Sequence, residues 1–305
     1  GMLLMIEDIS SEKRMKSTMS RYMDADLADQ LLEAGDGDDM MGGKESIGTV
    51  LFSDIRSFTT LTESLGAQGT VGFLNDYFTI MVDCIQAEGG MLDKFIGDAI
   101  MAIFGTPVAH DDDPDRGLRA AIQMMVGLNE FNVLRKSKGL PPVDHGMGLN
   151  TDQIVSGNIG SPKRMDYTVI GDGVNLAARV ESSCKKYGAH ILMSEHTFHA
   201  LKATYRTRQI DMVVVKGKTV PVGVYEVLDY HTKETFPNMI EVLEMFNNGI
   251  EYYNEGNWDK AIAQFKKAQK GNPDDKCSNM YVERCGILKK RDPKDWDGVW
   301  VATSK

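Results

Sequence analysis

Two aspartates set at the ends of short apolar runs are the residues of this 305-residue chain best placed to do chemistry. Asp54 follows the run Val50-Leu-Phe52 within Phe52-Ser-Asp-Ile-Arg56. Asp98 comes 44 positions later (98 − 54), in a Gly97-Asp98 turn between Met91–Ile96 and Ala99–Phe104. A strand end and a hairpin tip at one sheet edge would bring two carboxylates together, a platform for Mg²⁺ whose other ligands are substrate phosphates and water. A pair of such metals suits in-line displacement at phosphorus, one activating the attacking oxygen and one steadying the leaving side. Asn175 and Arg179 stand four apart in a helical stretch and so share a face. Other arrangements fail. There is no Gly-x-x-x-x-Gly-Lys-Ser/Thr phosphate loop, and the six histidines show no paired metal spacing. Asp111-Asp-Asp113 precedes a helix, where acids favour the positive end of the dipole, and reads as capping. Lys163-Arg164 reads as a solvated loop.

The elements that must position these side chains follow from periodicity. Val50-Leu-Phe52 reads as a buried strand, and Val71, Phe73, Leu74, Tyr77, Phe78, Met81, Val82 and Ile85 keep the spacing of a buried helix face. The two runs hinged at Gly97-Asp98 form a hairpin. Asp113–Lys138 reads as a helix stopped by Pro141-Pro142. Strands over 145–150 and 166–170, a helix over 173–187 and terminal strands around 210–228 complete an α+β pattern. That order suits an antiparallel-rich sheet with helices covering one face. Before it, Met15, Met19, Tyr22, Met23, Leu27 and Leu31 fall at helical spacing in a charged segment, and the Gly-rich stretch 34–43 reads as a linker. After Tyr230, Gly249, Tyr252, Ala261, Phe265, Ala268 and Pro273 match one tetratricopeptide-like repeat, a helix–turn–helix of about 34 residues. Stable arrays need about three such units, so this tail is expected to dock on the preceding domain or on a second subunit.

Composition bounds the answer. A net charge of −10 argues against a nucleic-acid scaffold, while an anionic nucleotide needs only local positive charge. No run approaches the ~18 apolar residues of a membrane span and no signal peptide is visible, so the expected location is cytoplasmic. Cys84, Cys184, Cys277 and Cys285 lack metal-ligand spacing and read as reduced thiols.

Four ordered motifs, Phe52-Ser-Asp-Ile-Arg56, Leu92–Phe104, Met165–Arg179 and Val215-Lys-Gly-Lys218, together resemble the catalytic domain of class III adenylyl and guanylyl cyclases over roughly residues 45–228. The resemblance implies a ferredoxin-like cyclase domain over 45–230, preceded by the end of a sensor domain, a coil-forming signalling helix and a linker over 1–44, and followed by a helical tail over 231–305. It implies conversion of ATP to 3′,5′-cyclic AMP and pyrophosphate. Asp54, Ile55 and Asp98 would bind two Mg²⁺ or Mn²⁺ ions, Asn175 would orient the ribose, and Arg179 would stabilise charge on the α-phosphate. Lys216 would neutralise the outer phosphates, with Lys218 a solvent-facing neighbour. Lys94 and Thr168 would read the base: an ammonium only donates, which suits adenine N1 and opposes guanine N1–H, whereas a threonine hydroxyl both accepts and donates. Threonine at that position marks a subset of adenylyl cyclases that includes bicarbonate-responsive members. The family works as a homodimer with composite sites, and an upstream sensor is its expected partner. A guanylyl cyclase and a non-catalytic cyclase-like dimerisation module are the rival readings; Lys94 opposes the first, and the retained aspartates and Arg179 oppose the second. Asp152 stands where the family usually has a turn glycine.

Overall fold

The computed structural model describes residues 43–161, 163–214, 221–291 and 293–300. The sensor-like start, the helix expected over 12–32, the linker to residue 42, and Lys216 and Lys218 lie outside the described residues.

Among the described residues eight strands form one sheet: β1 (Gly43–Ile55), β2 (Met91–Ile96), β3 (Ala99–Phe104), β4 (His145–Ser161), β5 (Arg164–Ile170), β6 (Ile191–Ser194), β7 (Thr207–Val214) and β8 (Pro221–Val227). Their order is β2-β3-β1-β4-β6-β8-β7, with β5 folded back on the far half of β4. All pairings are antiparallel except β4 with β6. The hairpin expected around Gly97-Asp98 has its predicted bounds.

Period-two alternation sends successive strand residues to opposite faces. Leu51, Ile100, Ala102, Phe104, Met147 and Leu149 build a core on one face with helices α1 (Phe58–Ala87) and α2 (Asp113–Ser137). Helix α1 is two pieces joined at Gly66, whose φ of 67° is non-helical; beyond it Phe73, Tyr77, Met81 and Ile85 turn inward at four-residue steps. Val50, Met101, Ile103 and Ile154 point the other way, toward Ala177 of helix α3 (Asp172–Tyr187). Helices therefore cover both faces of the sheet, not one. The second face is open to α3 because Gly148 has no side chain: a Cβ there would stand 2.1 Å from the Glu181 nitrogen.

The tail is helices α5 (Met239–Asn254), α6 (Trp258–Gly271) and α7 (Lys276–Arg291). Gly249 lets the Phe265 ring against the α5 backbone, and Phe246, Phe265 and Tyr281 share a core with Val180, Tyr187, Ile210 and Val224. The tail is thus docked on the same face as α3. Two buried ion groups pin it. Arg208 on β7 donates to both oxygens of Asp275 at 2.9 and 2.6 Å and to Glu226 at 2.7 Å. Arg284 on α7 grips Asp211 with two bonds of 3.0 Å, and Tyr187 at the end of α3 donates to the same carboxylate at 2.5 Å.

Several local expectations need correction. Strand β4 runs on to Ser161, because β5 pairs with residues 155–161 and satisfies backbone that otherwise reads as loop. Strand β6 and helix α4 (Glu195–Ala200) are too short to show a periodicity. Asp112 occupies the cap position of α2 but makes no cap bond; its carboxylate accepts from Arg116 at 2.8 Å and Arg119 at 3.2 Å. Asp152 lies in strand, opposite Gly48, rather than in a turn. The four cysteines are unbridged.

Candidate active site

Asp54 is the last residue but one of β1 and Asp98 sits in the β2–β3 turn, and β1 runs antiparallel beside β3, so both carboxylates reach one edge of the sheet. Their side chains are close enough to hydrogen-bond. Burial first, then the Asp98 charge and a side-chain hydrogen bond with Asp98, raise Asp54 to about 6, while a main-chain hydrogen bond at Ile55 pulls it down. Ile55 itself is buried. Two carboxylates at hydrogen-bonding distance fit a hard cation bound through oxygen.

A third carboxylate stands near enough to feel the charge of Asp54. Glu181 on α3 is half-buried and raised to about 7, by burial first and then by the charge of Asp54. It lines a cavity of about 840 Å³ with Asp54, Arg56, Ser57 and Asp144. Gly146 makes the room, since a Cβ there would lie 3.2 Å from Glu181 Oε1. The sequence holds no sign of this neighbour, because two residues past Arg179 is a different helix face.

The floor under Asp54 is braced. Arg56 donates to Asp144 at 2.9 Å and to the Ala189 carbonyl; Asp144 meets His190 at 3.0 Å, and His190 meets the Tyr230 hydroxyl at 2.9 Å. Burial holds neighbouring His145 down at about 3, so it is neutral, and its Nδ1 lies 2.8 Å from the Tyr77 hydroxyl.

Asn175 and Arg179 lie on the exposed side of α3, and the Asn175 amide donates to the Gly171 carbonyl at 3.5 Å. Gly171, with φ 147°, starts this helix, and Gly188 in the left-handed region ends it. Lys94 lies on edge strand β2, four residues before Asp98. Thr168 lies on β5, buried. The two predicted base-reading residues meet at one side chain, Asp93, which neighbours both. The chain therefore gathers Asp54, Asp98 and Glu181 in one group and Lys94, Asp93 and Thr168 in another.

Residues 42–233 match the family model for the adenylate and guanylate cyclase catalytic domain. The chain belongs to this family. An adenylate cyclase of Anabaena cylindrica is 41% identical over 186 residues, which are 59% of this chain and 36% of that protein. The chain thus spans about a third of the length of that curated relative. Among solved structures, the cyclase domain is similar to the guanylyl cyclase Cya2 (38% identity, TM-score 0.56, covering 61% of this chain and 94% of that one). It is similar also to the adenylyl cyclase CyaB from P. aeruginosa (35% identity, TM-score 0.58, covering 62% and 97%). Overall likeness does not separate the two bases; individual residues must. Cyclase domains of this family generally use divalent metal ions. Among the described residues no helix is long and apolar enough to cross a membrane.

Proposed function

We propose that this cyclase domain converts ATP to 3′,5′-cyclic AMP and pyrophosphate by attack of the ribose 3′-oxygen on the α-phosphorus. The observation that carries the reading is the pairing of Asp54 and Asp98 at one sheet edge, where the Asp98 charge raises the cost of ionising Asp54. With Ile55 beside them they would hold two Mg²⁺ or Mn²⁺ ions, which would supply charge neutralisation and activate the attacking oxygen. Asn175 would orient the ribose and Arg179 would offset charge on the α-phosphate from the exposed face of α3; Lys216 would meet the outer phosphates. Lys94 favours adenine over guanine because it can only donate.

Composite sites in a homodimer are part of this proposal, with Asp54 and Asp98 from one subunit and Lys94, Thr168, Asn175, Arg179 and Lys216 from the other. Phe95 and Ile96, between Lys94 and Asp98, are 44% and 50% exposed on the edge strand, as a surface awaiting a second copy would be. The proposed division is a sensor remnant, coil-forming helix and linker over 1–44, the catalytic domain over 45–230, and a tail with one tetratricopeptide-like repeat over 231–305. The coil would pass a signal from the upstream sensor, and bicarbonate would stimulate the enzyme, as Thr168 motivates; a flat bicarbonate titration at constant pH and ionic strength removes that last element.

The test is incubation with ATP or GTP, each with Mg²⁺ or Mn²⁺, and identification of the product. Cyclic AMP from ATP is expected. Cyclic GMP from GTP as the main product would favour the guanylyl reading that the likeness to Cya2 keeps in view. No cyclic product, from a folded dimer, would favour a non-catalytic module.

A further inference from the structure

Asp93 occupies the irregular step of the β2–β3 ladder: Leu92 faces Ala102 and Lys94 faces Met101, leaving Asp93 as the extra residue between them. Consecutive side chains of a regular strand point to opposite faces, whereas a bulge sets two residues against one and re-aims a side chain. Here the Asp93 carboxylate and the Lys94 ammonium, neighbours in sequence, come within 3.3 Å. The Lys94 side chain is 41% exposed, and that of Asp93 has no exposed area at all. The ammonium thus looks outward with its counter-charge inside the protein.

That counter-charge is incompletely satisfied. Both Asp93 oxygens are buried and neither makes a well-formed hydrogen bond in this chain. Burial pushes the Asp93 pKa up, and the Thr168 hydroxyl, then Lys94, pull it back, which puts the hydroxyl beside the carboxylate. Thr168 is itself only 8% exposed. A buried acceptor left short of a donor is costly, so closing a bond from Thr168 is favourable once the site is filled.

The consequence is chemical. A threonine hydroxyl carries one proton and two acceptor lone pairs, and alone it serves adenine's amine and guanine's carbonyl equally; an ionised carboxylate only accepts. We infer that Asp93 is a specificity-determining residue: its buried carboxylate takes the Thr168 hydroxyl proton and holds the Lys94 ammonium, so that Thr168 meets the base as an acceptor and Lys94 as a donor. That pair matches the amine and N1 of adenine and mismatches both groups of guanine. The inference rests on the proposed placement of the base between Lys94 and Thr168. Asp93 acts through these two side chains and is a positioning residue.

The experiment compares kcat/KM for ATP and GTP in the wild type, Asp93→Asn, Thr168→Ala, their double variant and Lys94→Glu. Asparagine keeps the shape of Asp93, but its amide can donate to Thr168 and turn the hydroxyl proton toward the base. The preference for ATP over GTP should fall about 10- to 100-fold in Asp93→Asn. The same replacement should change that preference far less in the Thr168→Ala background. Where asparagine disturbs folding, Asp93→Ser, smaller and neutral, carries the same expectation. A preference unchanged in both Asp93 variants, equal losses on ATP and GTP, or an equal shift with and without Thr168 would each overturn the inference. Lys94→Glu separates the two levels. If it leaves the preference untouched, the placement of the base is wrong; if it moves the preference while Asp93→Asn does not, only the role of Asp93 is wrong.

Discussion

At the scale of single residues, the acid pair makes a forecast that is independent of turnover. The folded-state pKa of Asp54, about 6, lies above its ordinary 3.8, so between those values the folded chain binds more protons than the unfolded one. Stability of the metal-free protein from this group is therefore greatest below pH ~4 and lost as pH rises toward ~6. Asp54→Asn removes the charge and should make the metal-free protein more stable than wild type, by a margin that grows from pH 4 to pH 6. The same variant should lose metal-induced stabilisation and almost all cyclase activity. Thermal melts with chelator, then with Mn²⁺, across that range give the answer; a margin independent of pH would show that the carboxylates do not crowd one another. That Asp54 and Asp98 come together was legible in the sequence because each sits in a short local motif, and the proposed roles of Lys94 and Thr168 rest on motifs of the same kind. Glu181 and Asp93 were not legible there. What makes them interesting is created by tertiary contact: a helix face pressed on Asp54 in one case, a one-residue bulge in the other.

At the scale of elements, the close seat of α3 on β4 decides where Asn175, Arg179 and Glu181 stand. Gly148→Ala would put a methyl group 2.1 Å from the Glu181 nitrogen and 2.6 Å from its Cα, both backbone atoms that cannot swing aside. Overpacking of this kind costs about 3 kcal/mol and shifts the backbone. Urea unfolding should show the loss, and activity should fall further than stability alone explains, because the displaced helix carries Asn175 and Arg179, the groups proposed to serve the transition state. Gly286 on α7 is the control: a Cβ there meets nothing within 4 Å, and alanine should stabilise the protein by about 0.5–1 kcal/mol. Equal stability changes at the two sites would mean that α3 is not held at Gly148. Long periodic elements such as α2 could be read from sequence, since burial imposes a period that many residues share, and the short β2–β3 hairpin could be read from the Gly97-Asp98 turn between its two apolar runs. The four-residue β6 has too few residues to carry one, and the far half of β4 is strand only because β5 returns to pair with it.

At the scale of the whole molecule, two associations are at issue: tail with sheet, and chain with chain. The expectation that the tail docks rather than standing alone was legible because one helical repeat cannot cover its own apolar face. Its anchors were not, since Arg208 and Asp275 are 67 positions apart and nothing local pairs them. All three tryptophans, Trp258, Trp296 and Trp300, lie in the tail, so their fluorescence reports on it alone. Because the buried Arg208 group and the shared core join tail to sheet, fluorescence and activity should be lost together in urea. Asp275→Ala strips one partner from a buried arginine and should lower stability by about 3–5 kcal/mol. Early loss of fluorescence with activity intact would make the tail a separate unit. The second association gives the sharper forecast. If Asp54 and Asp98 act with Arg179 of the partner subunit, Asp54→Asn and Arg179→Ala should each be nearly inactive as homodimers. Mixing them places both lesions in one site of a heterodimer and leaves the other site whole. Equal mixing with free exchange makes half the dimers mixed, each with one working site of two, so about a quarter of wild-type activity should return. Exchange is followed separately, with differently tagged chains. No recovery from mixtures that have demonstrably exchanged would place the whole site within one chain, and the exposed Phe95 and Ile96 would then need another explanation.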